Sequence, residues 1–147
     1  MTERTTYAFE GPRLDRTAAT RVCGAVMSAL RPAAGIALID AFSDYEPDGS
    51  ALEAQTWLRE LSRRKTRRGI GMGIELDPTD EDHWWAFASY AAWSIHAALF
   101  VGRWYGHLAT FHDCGYSITA ALTDVERSQL TAALSDLGTW TTRELHH

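Results

Sequence analysis

The side chains best suited to chemistry gather between positions 96 and 114: His96, Tyr105, His107 and the run His112-Asp113-Cys114. An imidazole that titrates near neutrality can move a proton or ligate a metal, and a phenol beside it can donate a hydrogen bond. From Ser94 the pattern has a period of two, with Ile95, Ala97, Leu99 and Val101 alternating with Ser94, His96, Ala98 and Phe100. That period predicts a strand, and Gly102-Arg103 suits a two-residue type II′ hairpin loop with glycine first. In this register His96 stands opposite Ala109 and diagonal to His107. His96, Tyr105, His107 and Phe111 then share a sheet face with Phe100, Ser117 and Thr119, a candidate surface for a small ligand. The competing reading, which we favour, is a face half-covered by a helix, with aromatic bodies buried and polar tips wet. Only two ligands converge, and no H-x-x-x-H or C-x-x-C spacing occurs, so neither a metal nor another cofactor is expected.

His112-Asp113-Cys114 resembles a nucleophile with its base only in one dimension. A thiol needs a base within hydrogen-bond reach, and neighbours in a tight turn seldom point at one another. Cys114 is therefore read as an exposed turn cysteine, and Cys23, close to an apolar helical stripe, as a small core residue. No catalytic residue is assigned, which leaves open whether the chain is an enzyme.

A second candidate is electrostatic. Asp44, Glu46 and Asp48 stand in an acidic turn, Ser43-Asp-Tyr-Glu-Pro-Asp-Gly49, within a block that also holds Asp40 and Glu53. Arg59 to Arg68 is basic, and Glu75 to Asp82 is acidic again. Mutual neutralisation is the simplest expectation, and a basic partner meeting Asp44, Glu46 and Asp48 is the functional one. The turn imitates a calcium loop weakly, because Gln55 occupies its twelfth position, Pro47 interrupts it and a strand leads into it. The chain has 13 Arg, one Lys and no Asn, which fits a GC-rich, bacterial type of genome better than nucleic-acid binding. Its net charge of −5 opposes attraction to phosphate, so no nucleic-acid partner is expected.

The elements that would position these groups follow from periodicity and punctuation. Tyr7 to Glu10 reads as a short strand ended by Gly11-Pro12, and Leu14 to Leu30 as a helix stopped by Pro32. Ala34 to Phe42 suits a buried strand. Ser50-Ala-Leu-Glu53 matches a capping box opening a helix to about Ser62. Gly69 to Leu76 is read as a strand with Ile70, Met72, Ile74 and Leu76 on one face. Thr79 to Ala91 is read as a helix with Trp84/Trp85 inward, although its aromatic residues also tolerate a strand. Trp104–His112 and Tyr116–Leu122 return as strands, joined by Asp113-Cys114-Gly115 with glycine left-handed. Thr123-Asp-Val-Glu126 is a second capping box, opening a helix to Leu137 with Val125, Leu130 and Leu134 inward. Trp140 docks the tail, and His146-His147 receive no role.

Together these describe a single α+β domain over residues 1–147, with a mixed sheet ending in an antiparallel three-stranded meander and about four helices. Two cysteines are too few for a disulfide framework and no signal peptide is evident, so a cytoplasmic setting is expected. The uncharged stretch from Trp84 to Gly102 is too rich in Ala, Ser and indole, with His96 inside it, to read as a membrane span. Size and acidity suit a non-enzymatic binding protein, such as an immunity-type inhibitor of a basic protein partner. The alternative is a small-molecule-binding protein or enzyme using the His96/His107 face. A homodimer through the aromatic sheet face fits either.

Overall fold

The structure, a computed structural model, describes residues 3–11, 14–65, 71–103 and 105–143. Pro12, Ile70, Trp104, the end of the basic run and His146-His147 lie outside the described residues. The order is β1 (Thr5–Glu10), α1 (Arg16–Leu30), β2 (Ile36–Ile39), α2 (Gly49–Lys65), β3 (Ile74–Leu76), α3 (Glu81–Tyr90), β4 (His96–Gly102), β5 (Tyr105–His112), β6 (Ser117–Leu122), α4 (Asp124–Leu134) and β7 (Thr139–Thr142). Four α-helices accompany one seven-stranded sheet, ordered β3-β2-β4-β5-β6-β1-β7. Every strand pairing among the described residues is antiparallel, so the mixed sheet expected from the sequence is replaced by an antiparallel one. β4, β5 and β6 neighbour one another in chain order but occupy the middle of the sheet, and β1 and β7 extend it beyond β6.

Local chemistry explains the helix ends. Asp15 caps α1 by accepting from the Ala18 N–H at 2.7 Å, and Asp80 caps α3 by accepting from the Asp82 and His83 N–H groups. The capping box at Thr123 and Glu126 is fully formed. At α2 the helix starts earlier: Gly49 is its first residue, the Asp48 carbonyl accepts from Ala51 and Leu52, and Ser50 lies inside. The strand expected from Gly69 shortens to Ile74–Leu76, because Gly71 and Gly73 adopt left-handed φ values of 71° and 60° that an extended chain excludes. Met72 is consequently exposed, while Ile74 and Leu76 remain on the core side. No helix among the described residues is long and apolar enough to cross a membrane.

One face of the sheet is covered. Strand residues Tyr7, Ala37, Ile39, Ala97, Leu99, Ala109, Phe111, Ile118, Ala120 and Trp140 share a cluster with α1 (Val22, Cys23, Val26, Leu30), α2 (Ala54, Leu58), α3 (Ala86, Phe87, Tyr90) and α4 (Leu130, Leu134). All four helices therefore pack on the same side. Two inward assignments shift. Phe87 and Tyr90, rather than Trp85, fill the α3 interface, and Val125 of α4 points outward at 66% exposure. Trp140 docks as expected, but through a strand the sequence did not announce.

Among the described residues, no helix covers the opposite face. Register places Ile36, Leu38, Ala98, Phe100, His107, Thr110, Thr119 and Ala8 on it. Here the expected hairpin pairing is wrong in two places. Gly102 pairs with Tyr105, so the turn lies one residue later on each strand than Gly102-Arg103. Leu99 faces Ala109 while Phe100 faces His107, which leaves Leu108 as the extra residue of a β-bulge. A bulge reverses the alternation beyond it. Phe111 thereby turns into the core, fully buried, and His96 comes to stand opposite His112 rather than Ala109.

Candidate functional site

A concavity lies where β1 ends and the loops after β2 and β5 meet. It is a cleft of about 720 Å³ lined by Glu10, Asp44 and Asp113, by the aromatic rings of Phe9, Tyr45 and Tyr116, and by Gly11, Leu14, Gly115 and Ile118. Three acidic residues and no cationic one line it among the described residues, and the positive charge of Arg16 is packed against the Tyr45 and Tyr116 rings. Asp44, Glu46 and Asp48 are all exposed, and none of them forms an ion pair among the described residues. The neighbouring charges behave otherwise: Arg103 pairs with Glu75 at 2.6 Å, Arg31 with Glu81 at 2.9 Å and Arg63 with Glu60 at 3.4 Å. Neutralisation is thus partial: Glu53, Asp77, Asp80 and Asp82 also form no ion pair among the described residues. Asp40, from the same acidic block, is buried and spends an oxygen on the Gly73 N–H at 2.6 Å, which makes it structural.

Beneath the cleft, Arg16 organises the loops. Its Nη1 donates to the Cys114 carbonyl at 2.5 Å and its Nη2 to the Ala92 carbonyl at 2.6 Å. The guanidinium carbon lies 4.5 Å from the Trp93 ring centre, 5.1 Å from Tyr45 and 5.4 Å from Tyr116. These contacts tie the first turn of α1 to three loops and hold two of the cleft's aromatic walls by cation–π attraction. The Arg16 Nε is buried without a partner among the described residues.

The turn that Arg16 grips is strained. Asp113, Cys114 and Gly115 have consecutive φ values of 53°, 57° and 84°. The sequence suggested a left-handed glycine alone; two non-glycine residues share the conformation at a cost of ~1–3 kcal/mol each. Gly115 is obligatory for a second reason, since a Cβ there would meet Cys23 Sγ at 3.0 Å and the Ala92 carbonyl oxygen at 3.1 Å. Asp113 lines the cleft while Cys114 is drawn inward.

Cys114 is accordingly buried, not the exposed turn cysteine expected, and its sulfur lies 3.7 Å from the Ser43 hydroxyl. No imidazole contacts it among the described residues, so it lacks the base a nucleophilic thiol needs. Cys23 is buried as expected, and loss of hydration pushes its thiol up to about 12, against a smaller opposing pull from Arg16.

Of the four residues proposed for a ligand face, Tyr105 and His107 line one concavity of about 380 Å³ with Phe100, and His96 and Phe111 lie elsewhere. Phe111 is in the core, against Phe87 at 6.3 Å between ring centres. Tyr105 is 68% exposed beside the β4–β5 turn. His107 stacks edge-on against Phe100 at 5.7 Å, and the shielding lowers its pKa. His96 instead meets His112, with Nδ1 atoms 3.4 Å apart and ring centres at 4.5 Å. His112 is held below its usual pKa, first by partial burial and then by His96. Sequence reasoning found Asp44 and missed Glu10, Arg16, Tyr45, Asp113 and Tyr116. No spacing signal links them, because they converge from four separate segments.

No protein-family model, curated protein or solved structure matches this chain.

Proposed function

We propose that the protein is a non-enzymatic binding protein whose acidic cleft receives a cationic group of a basic protein partner, in the manner of an immunity-type inhibitor. One observation carries the reading: Asp44, Glu10 and Asp113 line an aromatic-walled cleft whose described lining residues include no cation. Glu46 and Asp48 extend the same unpaired charge along the adjoining loop. An arginine or lysine side chain entering there gains attraction from the carboxylates and a ring face from Tyr45 or Tyr116. The strained turn adds to the argument, since a conformation maintained at a cost at a cleft rim is a common mark of a functional site.

The reading is tested by titrating the chain with an arginine-rich peptide at low and high salt. Asp44→Asn, Glu46→Gln and Asp48→Asn combined should weaken binding at least about tenfold and flatten its salt dependence. Equal affinity of the native chain and this variant would overturn the proposal. The homodimer remains a proposal attached to the uncovered sheet face around Ile36, Leu38 and Phe100, and light scattering measures it.

A further inference from the structure

Outside the lining of the acidic cleft, the most specific arrangement of side chains is the cross-strand pair His96 and His112. We propose that these two imidazoles chelate a borderline-soft divalent cation such as Zn²⁺, independently of the cleft. Their α-carbons are directly paired across β4 and β5, so the backbone fixes the spacing of both rings. The Nδ1 atoms stand 3.4 Å apart. Two nitrogens at roughly 2.0–2.1 Å from a tetrahedral zinc ion are separated by roughly 3.3–3.4 Å. The same separation is long for a hydrogen bond between ring nitrogens, for which about 2.9–3.0 Å is usual. In-plane coordination at these bond lengths puts the ring centres roughly 5 Å apart. They lie at 4.5 Å, so chelation requires a small opening of the pair about a Cα–Cβ bond.

The surroundings suit an open rather than an enclosed site. Both histidines are half-buried on the helix-free face, where water can complete the coordination shell. Among the described residues no three His, Cys, Asp or Glu side chains converge on one point. Affinity therefore falls well short of a four-ligand structural site. The field at His112 is mixed, since Asp113 favours positive charge there and Arg143 opposes it. Imidazole pairs select ions in the zinc, copper and nickel group over magnesium or calcium, which require oxygen ligands. His107 takes no part. Its ring packs edge-on against Phe100, and His112 is near enough to add to the lowering of its pKa that desolvation begins.

Zn²⁺ titration by calorimetry tests the proposal, using the full chain and a second form carrying His146→Ser and His147→Ser to remove the terminal histidine pair. The expected result in both forms is a saturable site lost or weakened roughly tenfold or more by His96→Asn or by His112→Asn. His107→Asn should leave the site unchanged. Nitrogen-15 spectra of the histidine rings supply a readout on the unsubstituted chain, where Zn²⁺ should move the Nδ1 resonances of His96 and His112 and not that of His107. Binding that vanishes with the terminal pair, survives both single substitutions, or leaves those two resonances in place overturns the proposal.

Discussion

The two faces of the sheet are made by the same strands and obey different rules. On the covered face the side chains are large and closed off: Ile39, Leu99 and Phe111 meet Leu58, Phe87 and Tyr90, and each is fully buried. On the uncovered face Ala98, Thr110, Thr119 and His96 are small or polar, beside an apolar edge of Ile36, Leu38 and Phe100 that no described helix covers. The first face is where stability resides, because apolar area removed from water is the dominant favourable term. The second is free to carry groups chosen for other reasons. The acidic cleft stands apart from both, built at the strand ends from loops that Arg16 ties together.

If that contrast is right, substitutions should rank by face. Phe111→Ala should destabilise by about 3–5 kcal/mol, and Thr119→Ala on the uncovered face by roughly 1 kcal/mol or less, both read by denaturant unfolding. Similar costs at the two positions would remove the distinction. Arg16→Met should follow, at about 2–3 kcal/mol, because two partly buried carbonyls lose charge-assisted donors and the strained turn loses its support.

Cys23 gives a pH-dependent measure of the covered face. Its folded pKa of about 12 lies above an unfolded value of ~8.5. The folded state therefore disfavours the thiolate. The contribution is complete below pH ~8.5 and is lost as pH rises toward about 12, at about 1.4 kcal/mol per pH unit for this one group. Cys23→Ala should flatten that alkaline decline, as measured by stability across pH 8 to 11. The smallest effect belongs to Val125→Ser, within about 0.5 kcal/mol, because this side chain points to solvent.

These rankings also indicate how far the sequence could be read. The covered face was legible wherever one period ran undisturbed: α1 buries Ala19, Val22, Cys23, Val26 and Leu30 at the spacing its sequence shows, and Thr123/Glu126 marks the start of α4 through a local hydrogen-bond exchange. Reading failed where a local pattern fits more than one register. Gly102-Arg103 is a sound turn signal, yet packing moves the turn by one residue and inserts Leu108 as a bulge, which sends Phe111 inward and joins His96 to His112. β7 escaped notice because Thr-Trp-Thr-Thr is too short to show a period and is recruited by the edge of β1. Asp44 was visible as part of an acidic turn. Its companions were not, since Glu10, Asp113 and Tyr116 come together through the sheet and the Arg16 contacts rather than through spacing.

The claim that a basic partner binds at the cleft and not on the uncovered face can be read directly. Backbone amide shifts of the labelled protein, followed while an arginine-rich peptide is added, should move at Gly11, Asp44, Tyr45, Asp113 and Tyr116 and stay fixed at Leu38, Ala98 and Thr110. Shifts confined to Leu38, Ala98 and Thr110, or no shifts at all at low salt, would contradict it.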